Sequence, residues 1–331
     1  MKRNIALILI SFLVSGIIFY FIFNKVGAEE IWHAFFSFSP AGIFWVLILT
    51  IIFILLGTWR WQLILRDRGD KFSLKDLVSP LVTGFGISYF TPFAFLGGEA
   101  FRGYYLKKKF SFSWARGIIS IFIDKIFEIS IFFLIIILGI TFFIFETLTI
   151  PSSIRIILLV ILFPIVGLLI FYFKAFKKQS IVRLVEKPLK KFTNGKITDV
   201  VLAHEKEMFN FFNLENKNMW YVILLSFVRG VVNWLRSWAI LYFLGLKVGG
   251  AVAFSVIAFT NLSYLFPLPA ALGSHEALQA FSFFALGLMA EKAIAFTLIL
   301  RAFDVFVAIA GLFIIFRFSA KWIKEKMIDD R

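Results

Sequence analysis

The sequence predicts an all-α polytopic membrane protein with six full spans and two re-entrant helical hairpins. They form an inverted-topology repeat with both termini cytoplasmic. Three observations carry this reading. Of 331 residues, 60% are hydrophobic, and the mean hydropathy is +0.90, which excludes a soluble globular domain and a disordered chain. Two apolar stretches are broken by proline, glycine and a carboxylate, at Thr91–Phe101 and at Asn261–Ala277. Several features recur about 176 residues apart, which argues for internal duplication.

The first apolar run, Ile5–Phe23, follows Met1-Lys2-Arg3 and has 19 residues, more than a usual signal h-region. It is read as a retained span rather than a cleaved leader ending at Val26-Gly27-Ala28. The acidic, aromatic loop Asn24–Ser39 lies outside. Pro40–Gly57 is the second span, with Trp59-Arg60-Trp61 as an aromatic belt at the cytoplasmic surface.

The first hairpin follows. Its limbs, Leu77–Phe90 and Phe93–Leu106, would each be about 21 Å long as helices, against about 30 Å of hydrocarbon. Basic residues flank both ends: Arg66, Arg68, Lys71 and Lys75 before, Lys107-Lys108-Lys109 after. The segment therefore enters and leaves on the cytoplasmic side, with its tip at Pro92–Gly98. Broken backbone at that depth must be buried in protein or line a wet cavity.

Gly117–Phe145 goes outward and Ile154–Phe173 returns. Ala175–Lys217 is the one sizeable polar region. Arg183, Lys187, Lys190, Lys191 and Lys196 alternate there with Ile181, Val182, Leu184, Val185 and Leu189, the pattern of an amphipathic helix on the inner leaflet. Trp220–Leu244 goes outward, Gly250–Leu288 forms a second hairpin with longer limbs, and Ala293–Phe316 comes back in. The chain thus divides into a first repeat at 1–150, the first span of the second repeat at 151–174, a cytoplasmic linker at 175–218 and the remainder at 219–331, all within one transmembrane domain. Basic residues outside are few: Lys25, Arg155, Lys247 and Lys292.

The net charge of +15 fits this inside bias and contact with anionic inner-leaflet lipids, not nucleic acid. Cysteine is absent, and the three histidines, His33, His204 and His275, have no metal-ligand spacing, so no metal or other cofactor is expected.

The repeat is visible residue by residue. Gly86-Ile87-Ser88-Tyr89 precedes Pro92 as Asn261-Leu262-Ser263-Tyr264 precedes Pro267. Pro92 precedes Glu99-Ala100 with the spacing of Pro269 to Glu276-Ala277. Arg60 and Arg236 are 176 apart, as are Lys125-x2-Glu128 and Arg301-x2-Asp304.

Charges within apolar spans cost about 2.5–3.5 kcal/mol each on insertion scales, so each needs a reason. Lys125–Glu128 and Arg301–Asp304 have the i, i+3 spacing of self-neutralising pairs, and with Asp124 are candidates for ion pairing or ion coupling. Arg229, Asn233 and Arg236 share a helix face and have no acid near in sequence. With Arg60 and Arg102 they are candidate ligands for an anionic head group, for which the guanidinium fork is suited. Glu99 and Glu276 either cap the second limb of each hairpin or exchange protons. Gly97, Gly98, Gly273 and Ser274 offer backbone N–H groups at the tips, and His275 is a tip hydrogen-bonding group. Gly98 and Ser274 are expected to face each other if the tips meet at the midplane. No catalytic residue set appears.

The motifs Pro92-x3-Leu96-Gly97-Gly98-Glu99-Ala100-x-Arg102 and Pro267-x-Pro269-x2-Leu272-Gly273-x2-Glu276, with the two base-x2-acid helices, resemble the flippase-like transmembrane region of lysylphosphatidylglycerol synthases. The resemblance covers nearly the whole chain. It departs where the family commonly has Glu-Arg-x2-Asp and this chain has Asp124-Lys125-x2-Glu128, which keeps the charges and loses the guanidinium. No aminoacyl-transferase domain follows up to Arg331, so the resemblance implies a stand-alone member that flips lipids rather than aminoacylating them. The expected partner is a polar-headed, phosphate-bearing membrane lipid in the cytoplasmic membrane, with self-association into a homo-oligomer allowed. Two rivals stand beside it: an intramembrane transferase using a lipid-phosphate donor, with Glu99 or Glu276 as acid or base, and a non-transporting partner of a separate enzyme.

Overall fold

The computed structural model describes residues 29, 32–33, 36–91, 98–147, 152–184, 196–266 and 268–329. The first apolar run, Ile5–Phe23, lies outside them, as do the tip residues 92–97. Among the described residues there are ten α-helices and no strand. They are α1 (Pro40–Arg66), α2 (Leu74–Phe90), α3 (Glu99–Phe110), α4 (Trp114–Thr147), α5 (Ser152–Phe176), α6 (Lys196–Phe211), α7 (Lys217–Phe243), α8 (Gly250–Ser263), α9 (Ser274–Ala285) and α10 (Ala290–Asp329). Short 3-10 turns occupy Val182–Leu184 and Pro269–Ala271. Among the described residues, four helices are long and apolar enough to cross a membrane: α1, α4, α7 and the Ala290–Arg317 part of α10.

Local chemistry sets the helix ends. Ser39 caps α1 by accepting from the Gly42 amide at 3.1 Å, and Pro40 follows at the first helical position, where its missing N–H costs nothing. Ser73 and Asp76 form a reciprocal capping box at the start of α2. Ser111 ends α3 in the left-handed conformation, at φ 53°.

Two quartets, α1–α4 and α7–α10, correspond. α1 and α7 each have 27 residues, and α3 and α9 each have 12. The starts of α2 and α8, and of α4 and α10, are each 176 residues apart. The packing corresponds as well. α1 lies antiparallel against α7, as Gly42 under Phe243, Gly57 against Arg229 and Asp67 accepting from Asn218 require. α2 packs on α10 and α8 packs on α4, so each short limb is clasped by the long helix of the other quartet.

These cross-quartet contacts are backbone-close. A Cβ on Gly86 would lie 2.6 Å from the Ala308 carbonyl oxygen, and one on Gly311 would lie 2.4 Å from that of Val82. On the other side, a Cβ on Gly139 would lie 2.3 Å from the Phe254 carbonyl oxygen. Lipid tails are as apolar as leucine, so close van der Waals contact, not solvent exclusion, holds such helices together.

Two expectations change. The limbs of the second hairpin are not longer than those of the first: α8 and α9 have 14 and 12 residues, α2 and α3 have 17 and 12. Trp61 is not part of a surface belt. α1 continues to Arg66, Trp61 and Arg60 are buried, and Trp59 alone of the three faces outward. The amphipathic pattern of the linker falls largely on residues 185–195, outside the described residues. A 3-10 turn is anchored on Glu205, which accepts from Ser180 Oγ, Ile181 N at 2.7 Å and Val182 N at 3.0 Å. From there α6 and the following turn press Phe209, Phe211 and Phe212 into a core with Phe127, Phe171 and Met219. The positions Val185, Lys187, Leu189, Lys190 and Lys191 lie outside the described residues.

The close glycine contacts give a stability prediction. Gly139→Ala puts a methyl into the Phe254 carbonyl and should destabilise the protein by about 1–3 kcal/mol, as overpacking does. Gly167→Ala, on an open face with nothing within 4 Å, should be neutral or slightly stabilising. Thermal unfolding of both variants in one detergent measures the contrast; equal midpoints would refute the clasp.

Candidate functional site: a charged cavity between the two quartets

The break in α2–α3 and the crossing of α1 with α7 bring the intramembrane charges together. A cavity of about 250 Å³ opens among α1, α2, α3, α4, α7 and the middle of α10. Its charged wall consists of Arg60, Glu99, Arg102, Asp124, Lys125, Glu128, Arg229, Arg236 and Asp304. Asn233 also lines it, and Phe53, Phe85, Ile131, Phe132 and Val307 supply apolar surface.

The charges form three sets. In the first, Asp124 bridges two guanidinium groups: Oδ1 accepts from Arg60 Nε at 2.7 Å and Oδ2 from Arg102 Nη2 at 2.9 Å. Arg102 lies over the Trp61 ring at 4.0 Å, and Trp61 is held by its indole N–H donating to Ser120 Oγ. In the second, Lys125 Nζ sits 2.7 Å from both Glu99 and Glu128, and Glu128 also accepts from Arg229 Nη1 at 3.1 Å. Arg229 donates through Nε to the Phe53 carbonyl at 3.3 Å and covers the Phe53 ring at 3.9 Å. In the third, Arg236 Nη2 donates to Asp304 at 2.8 Å, with the Tyr264 hydroxyl at 3.4 Å.

Arg229 and Arg236 therefore find acids on α4 and α10, partners that are remote in sequence. Lys125–Glu128 pairs within its helix as the spacing suggested. Arg301–Asp304 is not among the ion pairs of the described residues: Asp304 takes Arg236, and Arg301 Nη1 lies 2.7 Å from Glu276. Lys125–Glu99 and Arg301–Glu276 are thus equivalent bridges from long helix to hairpin in the two quartets.

The tips are less alike than their sequences. Glu276 caps α9, accepting from the Gly273 amide at 2.8 Å, and is wholly buried. Glu99 is the first residue of α3 and makes no such cap. Ser274 donates within its own hairpin, to the carbonyls of Ser263 and Ala271. Gly98 packs against Gly84 of its own outgoing limb, where a Cβ would lie 1.9 Å from the Gly84 carbonyl oxygen. The close approach of each tip is therefore to its own hairpin. The tip turn Pro269–Ala271 does reach across to α2. Gly97 lies outside the described residues. Gly98, Gly273, Ser274, His275, Glu276 and Arg301 do not line the cavity. His275 is buried, and its Nε2 has no hydrogen-bond partner among the described residues, so it is not the tip hydrogen-bonding group its position suggested.

Sequence reasoning missed Phe53, Trp61 and Tyr264 as wall and support for the charges. Phe53 had a signal, since it stands 176 residues before Arg229 and so occupies the same repeat position.

The arrangement defines a helical, multi-pass membrane protein with an intramembrane polar cavity at the junction of two similar quartets. The chain belongs to the family described as the lysylphosphatidylglycerol synthase TM region, which matches residues 8–311. It is similar to a UPF0104 membrane protein of Methanocaldococcus jannaschii, 23% identical over 310 residues and 91% of each chain. It is also similar to one of Methanothermobacter thermautotrophicus, 28% identical over 318 residues, 91% of this chain and 90% of that one.

The pairing yields a prediction about Arg236. Arg236→Gln leaves Asp304 without a cationic partner in a buried site, which costs about 3–5 kcal/mol for pairs of this kind. Arg236→Gln with Asp304→Asn should recover much of that loss. Arg229→Gln should cost less, because Glu128 keeps Lys125. Unfolding midpoints of the four proteins in detergent test the order.

Proposed function

We propose that the protein is a lipid flippase that moves a polar-headed, phosphate-bearing lipid across the cytoplasmic membrane without covalent change. The observation that carries this reading is the cavity itself: a space with cationic side chains and apolar walls, set among helices long enough to cross a bilayer. Irregular or charged structure at membrane depth is a marker of a substrate path. The head group would occupy the charged wall while the acyl chains stay in lipid. Arg60, Arg102, Arg229, Asn233 and Arg236 would bind it, and Glu99 would contact its polar edge.

The topology proposed with it has six spans and two re-entrant hairpins, α2–α3 from the cytoplasm and α8–α9 from outside, with the two repeats inverted. The antiparallel crossing of α1 and α7 and the swapped clasps of α2 and α8 support this arrangement. The family membership supports the membrane location. Each acid in the cavity wall lies within 3.1 Å of a cation, which supports a transporter rather than a transferase that needs a free acid or base.

Two experiments test the proposal. In proteoliposomes containing a labelled phospholipid, the purified protein should make inner-leaflet label accessible to an external quencher. Asn233→Trp, which fills the cavity from α7, should abolish that movement while the protein still purifies as a folded species. Recovery of a new lipid product would favour the transferase reading instead. For topology, single cysteines at Lys108 and Lys326 should be shielded from an impermeant thiol reagent in intact cells, and those at Lys247 and Glu291 should react. The chain has no native cysteine to interfere. Labelling of Lys108 from outside would overturn the hairpin assignment.

A further inference from the structure

The turn that ends α1 recurs at the end of α7 with the same hydrogen bonds. Gly69 has φ 82° and Gly245 has φ 83°, and the two are 176 residues apart. In the first turn Gly69 N donates to the Arg66 carbonyl at 3.0 Å and Asp70 N to that of Leu65 at 3.3 Å. In the second, Gly245 N donates to the Tyr242 carbonyl and Leu246 N to that of Leu241, both at 3.0 Å. One side chain of the preceding helix ties each turn down. Gln62 Nε2 donates to the Phe72 carbonyl at 2.7 Å, and Trp238 Nε1 donates to that of Val248 at 3.0 Å. These positions also match at 176. The first turn leads into α2 and the second into α8.

The side chains of the two turns differ in kind. Leu244 and Leu246 seal the second, buried in an apolar core with Ile240, Val256, Phe283 and Phe296. Arg68 and Asp70 hold the same two positions in the first. The Arg68 side chain is 9% exposed and donates Nη2 to the Glu207 carbonyl at 3.2 Å. Its Nη1 lies 3.2 Å from the Glu207 carboxylate but is not aligned for a hydrogen bond. Asp70 faces Arg116 at 3.7 Å through one oxygen, and its other oxygen is buried with no partner among the described residues. Asn218 donates to Asp67 at 3.0 Å, and Phe72 packs against Phe110 and Phe112. One short turn therefore joins both ends of the first hairpin to α4, α6 and α7.

The charged seal is costly. Burial lowers the Arg68 guanidinium from its ordinary value in spite of Glu207 and Asp70. Burial likewise raises the Asp70 carboxyl in spite of Arg116 and Arg68. At both groups lost hydration outweighs the pull of the partner. Opening this turn to water restores that hydration, and it strands neither Glu207 nor Arg116, whose side chains are 40% and 54% exposed. Opening the leucine turn exposes apolar surface and returns nothing. We infer that the turn 67–72 is a latch on the base of the first hairpin. It opens by parting Arg68 from Glu207 and Asp70 from Arg116, while its counterpart 243–248 stays shut. α2 carries Phe85, Ser88 and Tyr89 into the cavity wall and α3 carries Glu99 and Arg102, so freeing the base of the hairpin reshapes the cavity. The inference rests on the flippase reading for what the opening serves. The linker, through Glu207, then sets how readily the latch opens.

The test combines amide hydrogen exchange with label movement. In the purified full chain, residues 67–73 should exchange faster than residues 243–249 by about tenfold, the mark of a locally opening segment. Arg68→Leu with Asp70→Leu copies the second turn. It should raise the thermal midpoint, because apolar side chains replace under-satisfied ion pairs, and bring exchange at 67–73 down to that of the second turn. It should also slow movement of labelled phospholipid in proteoliposomes by about tenfold, the rate cost of a latch tightened by one decade. Glu207→Gln removes the anchor from a half-exposed position and should speed exchange at 67–73. The inference is overturned if the two turns exchange alike in wild type, or if Glu207→Gln leaves exchange at the first turn unchanged. A folded leucine variant that is less stable than wild type, or that moves label at the wild-type rate, overturns it as well. A wild type that moves no label sinks the flippase reading and leaves the exchange contrast to decide the latch. Movement by a wild type whose two turns exchange alike sinks the latch alone.

Discussion

Everything in this fold follows from one constraint: a charge placed among lipid-facing helices must meet its opposite on another helix. Asp124 holds Arg60 of α1 and Arg102 of α3 at once, so the first hairpin is tied to the crossing helices through a single carboxylate. Glu128 does the same for Lys125 and Arg229, and so links α4 to α7. Truncating Asp124 would strand two cations; truncating Glu128 would strand Arg229, because Lys125 keeps Glu99. The pairs are weak evidence for stability in themselves, since desolvation offsets most of their attraction. Their consequence is geometric. The helices can be arranged only in ways that keep these partners in reach, and the arrangement found leaves a cavity where the charges converge.

The two quartets show how far duplication reaches. Phe53 and Arg229 occupy the same position in the two repeats and touch each other, carbonyl to guanidinium. A residue can meet its own counterpart only near the axis relating the halves, so the crossing of α1 and α7 lies on it. Away from that axis, α2 against α10 and α8 against α4 repeat the same close backbone contact with different glycines. The spacing of 176 residues is therefore a packing statement as well as a sequence one.

Much of this was legible in the sequence. Long apolar helices, two broken hairpins and the repeat offset all follow from hydropathy, breakers and spacing. The existence of intramembrane charges was legible too, and so was the Lys125–Glu128 pair, because its partners lie one turn apart. The partners of Arg229 and Arg236 were not, since Glu128 and Asp304 reach them only through tertiary packing, 101 and 68 residues away. Trp61 misled because a tryptophan beside arginine near the end of an apolar run resembles an interfacial anchor. Its indole N–H finds Ser120 and its face takes Arg102, which is what allows it to be buried. The burial of Phe209, Phe211 and Phe212 was not legible, because the core that takes them is assembled from α1, α4, α5 and α7, which are remote in sequence.

The two similar hairpins differ in the position of one carboxylate relative to the helix start. Both hairpins place a glutamate beside the tip, and both glutamates receive a cation from the long helix of their own quartet at 2.7 Å. Glu276 is the third residue of α9, so its second oxygen reaches back to the Gly273 amide and the group is wholly buried. Glu99 is the first residue of α3 and cannot reach back in that way. Its second oxygen is left without a partner in the wall of the cavity. The second hairpin is then filled by its own network, in which Gln279 donates to the Val256 carbonyl and to Thr260. A shift of two positions relative to the helix start thus converts one glutamate into a cap and leaves the other with an oxygen that has no partner among the described residues.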